Sequence, residues 1–307
     1  MEPILNTLNC GRDTCRKKER VIEMYQGLIS VVVTTYNWPE VLKLVLMSLN
    51  NQTDQNFEVL IADDGSKEDT GAMIEKFKRQ ASYPITHLWQ EDKGFRAARA
   101  RNMGIQAAKG NYIVFLDGDC IPRHDFIVNH RYLAQKQYFV VGHRIILDHS
   151  FTQRVLTKNL AIWQKGHLYW LTHYLKKHSN KILPLLTIKI QKHRYKKPMK
   201  WQGAKTCNLA FWRDDLIKTK GFDEGFEGWG YEDSDLVIRI LNTGVKRKSG
   251  KYATEVFHLW HKEADRSSEQ ENLERLNNLI KSHKIFPEKS LLNCKSLHFN
   301  KPCFLKI

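Results

Sequence analysis

NYIVFLDGD, residues 111 to 119, is a run of five apolar residues that ends in two carboxylates. The apolar run has the length of a buried β-strand. Crowding Asp117 and Asp119 at its end is costly unless a cation offsets their repulsion. A hard divalent ion shared between Asp oxygens and a diphosphate would do this, and a plain Asp-Gly turn closing the strand is the alternative. A second strand end of the same kind, Asp63-Asp64-Gly65-Ser66 after FEVLIA, makes a shared site the stronger reading.

Working outward from this stretch, strands and helices alternate. LISVVVT (28–34) reads as a strand and WPEVLKLVLMSLN (38–50) as a helix with Pro39 in its first turn. FEVLIADDGS is a strand and turn, DTGAMIEKFKRQ a helix, ITHLWQ a strand, and RAARARNMGIQAAKG a helix closed by Gly110. Such spacing predicts right-handed βαβ crossovers and a mainly parallel sheet flanked by helices. Ligands of these sheets bind beyond the carboxyl ends of the strands, where TTYN (34–37), DDGS and DGD all fall. Lys93, Arg96, Arg99 and Arg101 lie around the start of the last helix and suit an anionic ligand, or else form a solvated basic face.

Beyond Asp119 the pattern predicts a helix at 125–136, a strand at 138–147, a strand at CNLAFWR (207–213), a helix at 231–243 and a strand within KYATEVFHLWH (251–261). A polar helix, SSEQENLERLNNLIKSHKIF, and a basic tail follow. FEGWGYEDSDL (226–236) sets an aromatic and glycine hinge before Glu232, Asp233 and Asp235. Acids in a first helical turn stabilise by about 0.3–1 kcal/mol, so capping competes with a catalytic role. Capping needs one acid and no Trp229 between glycines.

With 307 residues, 42% of them hydrophobic, the chain can bury a sizeable core. No apolar run reaches the roughly 18–20 residues that cross a bilayer, and MEPILNTLNCGRDTCRKKER lacks a signal-peptide core, so a cytoplasmic protein is expected. The six cysteines are scattered without a CxxC pair, which argues against a zinc site or disulfide scaffold. The net charge is +16, and residues 151–200 hold ten Lys and two Arg with no acid. Within that stretch Val155, Leu160, Trp163, Leu168, Leu171 and Leu175 recur at helical steps, which predicts an amphipathic basic helical insert. It would favour an anionic membrane surface, an acidic glycan or a nucleic acid. Trp201 and Trp229 are candidates for stacking on sugar rings or for the core.

SVVVTTYN, DDGS, GFRAARARN, DGD, CNLAFWR and WGYEDSDL, in this order and spacing, resemble a family 2 glycosyltransferase of the GT-A fold over roughly residues 28–263. The second half is similar to the galactosyltransferase-type carboxyl module also found in bacterial chondroitin polymerase. The resemblance divides the chain into an N-terminal extension (1–27), a GT-A domain (28–265) and a helical and basic tail (266–307). Within the domain, 28–120 would bind the nucleotide-sugar, and 121–265, with the insert at about 151–200, would hold acceptor and catalytic groups. It implies that Thr34, Tyr36 and Asp64 line the base pocket and that Arg101 approaches the diphosphate or sugar. Asp119 would be the principal metal ligand, Asp117 a contact to ribose or metal, and His258 the last ligand, with His261 its rival. Asp233 would be the general base of an inverting transfer, and Glu232 would face donor or acceptor hydroxyls. The implied cofactor is a divalent metal, manganese or else magnesium. Implied partners are a UDP-hexose or UDP-N-acetylhexosamine donor and a glycan or lipid-linked glycan acceptor of lipopolysaccharide or capsule type, at the inner face of the membrane. No nucleic acid is expected, although a non-catalytic sugar- or nucleic-acid-binding protein on this fold is the competing reading.

Overall fold

The computed structural model describes residues 24–182, 192–263, 265–290 and 292. The acidic strand β4 (Tyr112–Asp117) lies inside a seven-stranded sheet, between β1 (Ile29–Thr35) and β8 (Asn208–Trp212). Beyond β1 come β2 (Phe57–Asp63) and β3 (Ile85–Trp89), all parallel to β4. Strand β8 runs antiparallel to both β4 and β6 (Tyr138–Val141), and β9 (Lys246–Ser249) closes the sheet parallel to β6. Four of the six pairings are parallel, as the alternation predicts. A second, three-stranded sheet is built from β5 (Cys120–Pro122), β7 (His143–Ile146) and β10 (Glu255–His258), with β10 in the middle.

The period of two along each strand divides the core into two layers. Ile29, Val31 and Val33 of β1 join Tyr112, Val114 and Leu116 of β4 on one face. There they meet α1 (Pro39–Asn50), α2 (Glu68–Lys78) and α4 (Phe126–Leu133). Val32, Ile113 and Phe115 point to the other face, against α3 (Ala97–Ala107), α7 (Arg213–Lys218) and α8 (Glu232–Asn242). Helix α3 comes close to β1 because it carries Gly104. A Cβ there would lie 2.5 Å from Val32 Cγ1.

Two expectations need correction, and two strands were not foreseen. The strand expected at 138–147 is two strands broken at Gly142, and β6 and β7 belong to different sheets. Strands β5 and β9 carry no alternating apolar signal and were not expected. The insert is not one amphipathic helix. It contains α5 (His149–Thr157), a 3-10 turn at Ile162–Gln164 and α6 (His167–Leu175). The chain turns between them, so the helical spacing does not continue through 158–166. Phe151, Val155, Trp163 and Trp170 enter the core, while Leu168, Leu171 and Leu175 stay outside. The polar helix expected after residue 266 is α9 (Glu269–Ser282), packed on α8 through Leu276 and Leu279. Most of the N-terminal extension, residues 183–191 of the insert and the basic tail from 293 lie outside the described residues.

Gly104→Leu should overpack the contact between α3 and β1 and lower unfolding free energy by about 1–3 kcal/mol. The urea midpoint would fall while the m-value stays constant, and an unchanged midpoint would contradict the packing described.

Candidate active site

Register brings the polar strand ends together. Thr34 stands opposite Asp117 and Thr35 opposite Asp63. Gly118 N–H donates to the Thr34 carbonyl at 2.7 Å, and a Cβ on Gly118 would sit 2.9 Å from that oxygen. The glycine between the two acids is therefore a steric requirement. Asp63 is taken by the fold, accepting from Ser66 N–H at 2.8 Å and bonding the His87 ring at 2.8 Å. Asp64 instead reaches a cleft of about 790 Å³. All ten residues singled out above as catalytic, donor-binding or metal-binding line this one cleft.

Arg101 ties its two sides together. The side chain is buried, with Nε donating to Thr34 Oγ1 at 3.1 Å, Nη1 to Glu232 at 3.0 Å and Nη2 to Asp117 at 3.2 Å. A strand end and a helix start that are remote in sequence are thus held by one guanidinium. Lys93, Arg96 and Arg99 do not share this place. Lys93 pairs with Glu91 at the surface, the Arg96 guanidinium donates to the Glu91 carbonyl, and Arg96 and Arg99 border a separate small pocket beside Glu224. The start of α3 is already engaged, because Arg96 N–H donates to Asp64 at 2.7 Å. Asp64 also accepts from Gln90 at 2.5 Å. Burial raises its pKa above the usual carboxylate range, opposed by these hydrogen bonds. Tyr36 lies at the rim with its hydroxyl donating to Asp92 at 2.9 Å.

The three acids of α8 have separate fates. Gly228, Gly230 and Tyr231 all take positive φ (74°, 111° and 71°), which turns the chain sharply into the helix. For tyrosine this left-handed conformation is strained. The N-cap of α8 has no side-chain hydrogen bond, so none of the acids serves as its cap. Glu232 is held by Arg101. Asp235 supports the helix from inside, accepting from Arg239 Nε at 2.8 Å and Nη2 at 2.5 Å. Asp233, buried and lining the cleft, accepts only from the adjacent Ser234 hydroxyl at 3.2 Å and makes no ion pair among the described residues. Burial, reinforced by the neighbouring Glu232 charge, pushes its pKa up to about 6.

At the opposite wall Asp119 meets two imidazoles. His261 Nε2 lies 3.1 Å and His258 Nε2 3.5 Å from the same carboxylate oxygen. Burial opposes ionisation of Asp119, but the His261 hydrogen bond and both imidazoles outweigh it and hold the pKa below its usual value. Burial also holds His258 below the usual imidazole value, which leaves its lone pair free to bind a cation. His261 is more open, and its bond to Asp119 raises it to about 9. Cys120 donates to the other Asp119 oxygen at 3.2 Å, with its thiol driven well above its normal pKa by burial and by Cys207. A neutral thiol is a poor ligand, so Cys120 orients Asp119. One carboxylate and converging ring nitrogens form a donor set that fits a divalent first-row metal.

Some cleft residues were not expected. Arg144 and Lys205 line it with no ion pair among the described residues, and Arg266 lies over the Trp229 ring at 4.5 Å. Alternation in His143-Arg144-Ile145-Ile146 is the signal that could have found Arg144, since Ile145 is buried and Arg144 and Ile146 face the cleft. Of the two candidate tryptophans, Trp229 lines the cleft, while Trp201 packs beside Ile238 and Leu276.

Residues 30–196 match the model of glycosyl transferase family 2, more than half of the chain. The chain belongs to this family. A second match, at residues 186–262, is to the N-terminal domain of galactosyltransferase. Hyaluronan synthase of Pasteurella multocida is 31% identical over 242 residues, 70% of this chain and 23% of that protein. Chondroitin synthase of Escherichia coli is 28% identical over 258 residues, 77% of this chain and 35% of that protein. The family 2 chain thus spans about a third or less of these relatives' length. A crystal structure of GalNAc-T7 with UDP, GalNAc and Mn2+ superimposes with a TM-score of 0.57 at 15% identity, over 83% of this chain and 48% of that one, which shows the GT-A fold. Membership of this family favours glycosyl transfer over the competing reading as a non-catalytic binding protein.

Arg101→Met would leave Asp117 and Glu232 without their cation. Stability should fall by roughly 3 kcal/mol, the low end for breaking a buried ion pair because Asp117 is partly open to the cleft. Urea unfolding reads this, and a loss under 1 kcal/mol would mean the three bonds to Arg101 are not what holds the cleft.

Proposed function

We propose that this family 2 enzyme is an inverting, metal-dependent transferase. It moves a hexose or N-acetylhexosamine from a UDP-sugar to a hydroxyl of a surface glycan or lipid-linked glycan, of lipopolysaccharide or capsule type. The observation that carries this reading is Asp233, a buried cleft carboxylate with no cationic partner among the described residues and only the adjacent Ser234 hydroxyl bonded to it, while Asp117, Asp119 and Glu232 are each held by arginine or histidine and Asp64 is tied by Gln90 and the Arg96 N–H.

Asp233 takes the proton of the acceptor hydroxyl as that oxygen bonds to the anomeric carbon from the face opposite the nucleotide. The bond from the anomeric carbon to the diphosphate oxygen breaks, its electron pair leaves with UDP, and configuration inverts. Arg101 does not bind the diphosphate as freely as its place in the sequence suggests. Its part is to fix Asp117 on the donor side and Glu232 on the acceptor side in one geometry. Thr34, Tyr36 and Asp64 border the region for base and ribose, and Arg144 and Lys205 supply unpaired positive charge for the departing diphosphate. Asp119 and His258 would hold a divalent metal, with His261 able to join once it releases its proton. When bound, the metal neutralises charge on the leaving diphosphate. The Mn2+ and UDP in the GalNAc-T7 structure support manganese and a uridine donor. The polysaccharide synthases among the relatives support a glycan acceptor.

With UDP release as the readout, Asp233→Asn should lower kcat by about 100-fold or more while donor affinity stays near wild type. Full activity in that variant would remove Asp233 from the chemistry. A base must be ionised, so kcat/KM should fall about tenfold per pH unit below roughly pH 6 and level off above it. Chelation by EDTA should stop turnover and added manganese should restore it; turnover that persists through exhaustive chelation would exclude the metal role.

A further inference from the structure

The two faces of α6 have opposite environments. Trp170 is buried and stacks on Phe257 with ring centres 4.2 Å apart and planes 11° from parallel, and His173 packs on Phe151. On the outer face Leu168, Leu171 and Leu175 recur at steps of three and four and are 76%, 41% and 71% exposed. Single exposed leucines are ordinary, whereas a row of three along about 10 Å of helix is an organised apolar edge. Lysines bracket that edge. Lys165 precedes the helix, Lys176 and Lys177 follow it, and Lys181 lies a few residues on. Among the described residues none of the four has a carboxylate partner, and residues 151–200 contain no acid that could supply one.

We propose that the outer face of α6 docks on a membrane leaflet of anionic phospholipid. The leucines enter the boundary between headgroups and acyl chains, and the lysines meet the negative surface. Charge complementarity selects this occupant. A second copy of the chain would bring lysine against lysine, and a nucleic acid would satisfy the lysines but offer nothing to the leucines.

The face is tied to the cleft by rigid contacts. Phe257, on which Trp170 stacks, precedes His258 in β10. Just past the helix, Asn180 accepts from Ile146 N–H at 3.0 Å and donates its own N–H to the Ile146 carbonyl at 3.1 Å, and Ile146 lines the cleft. A chain docked through α6 therefore holds its cleft at a fixed orientation to the lipid surface, suited to an acceptor carried on a lipid. That last step rests on the transfer reaction proposed above; the docking surface does not.

Co-sedimentation of the full chain with vesicles at physiological ionic strength tests the surface. Binding is expected to an equimolar mixture of phosphatidylcholine and phosphatidylglycerol and not to phosphatidylcholine alone. Replacing Lys165, Lys176 and Lys177 together by Gln should weaken it roughly 100-fold. Replacing Leu168, Leu171 and Leu175 together by Asn should weaken it at least tenfold, at roughly 0.8 kcal/mol per buried methylene. Both variants should keep the wild-type circular dichroism spectrum and wild-type UDP release with a soluble acceptor, so docking and transfer are read separately. Equal binding to neutral vesicles, no binding to either, or unchanged binding by the leucine variant would overturn the proposal. So would retention on nucleic acid without retention on vesicles.

Discussion

One buried guanidinium organises the cleft. Arg101 has too many donors to be left in the core without partners, and its three bonds consume groups from β1, β4 and α8. Stripping water from it is tolerable only because two carboxylates and a hydroxyl replace that water. The spacing of Thr34, Asp117 and Glu232 follows from this arrangement. The parallel half of the sheet contributes Thr34 and Asp117, the half entered through antiparallel β8 contributes Glu232, and neither side can move without breaking a charged contact.

This accounts for the division among the three acids of α8. A helix start rich in carboxylates would ordinarily be explained by the macrodipole. Here Glu232 and Asp235 each have an arginine, and Asp233, between them in sequence, has none among the described residues. The strained Tyr231 backbone and the two positive-φ glycines set that rotation. Local strain and an unneutralised buried carboxylate occur together, as expected where stability is given up for reactivity.

Much of this was legible in the residues. The βαβ alternation gave the parallel half of the sheet, because apolar strands and amphipathic helices leave strong periodic signals. The acidic strand ends gave one wall of the cleft, because two such ends on one edge of the sheet, DDGS and DGD, favoured a shared site over two unrelated turns. What was not legible depends on tertiary contacts. Lys-Arg-Lys-Ser is a poor strand sequence, and β9 forms only because β6 offers it an edge. Lys205 has no periodicity that would direct it inward. Trp201 and Trp229 are chemically equivalent in the sequence, and only the packing of α9 on α8 separates the one set against that contact from the one in the cleft. The insert misled because helical spacing continued in the letters across a turn in the chain.

The separation of Arg101 from Glu232 also has a meaning in time. They are 131 residues apart, so at roughly 5–20 residues per second a ribosome needs about 7–26 s to deliver the second after the first. Once β4 has also been made, 16 residues after Arg101, the sheet from β1 to β4 can pair, yet Arg101 lacks one of its two carboxylates and the wall bearing Asp233 does not exist. The nascent half can assemble the donor side without the group proposed to start the reaction. The site is then completed late, when α8 seats its first turn against a guanidinium that is already in place and β10 brings His258 beside Asp119.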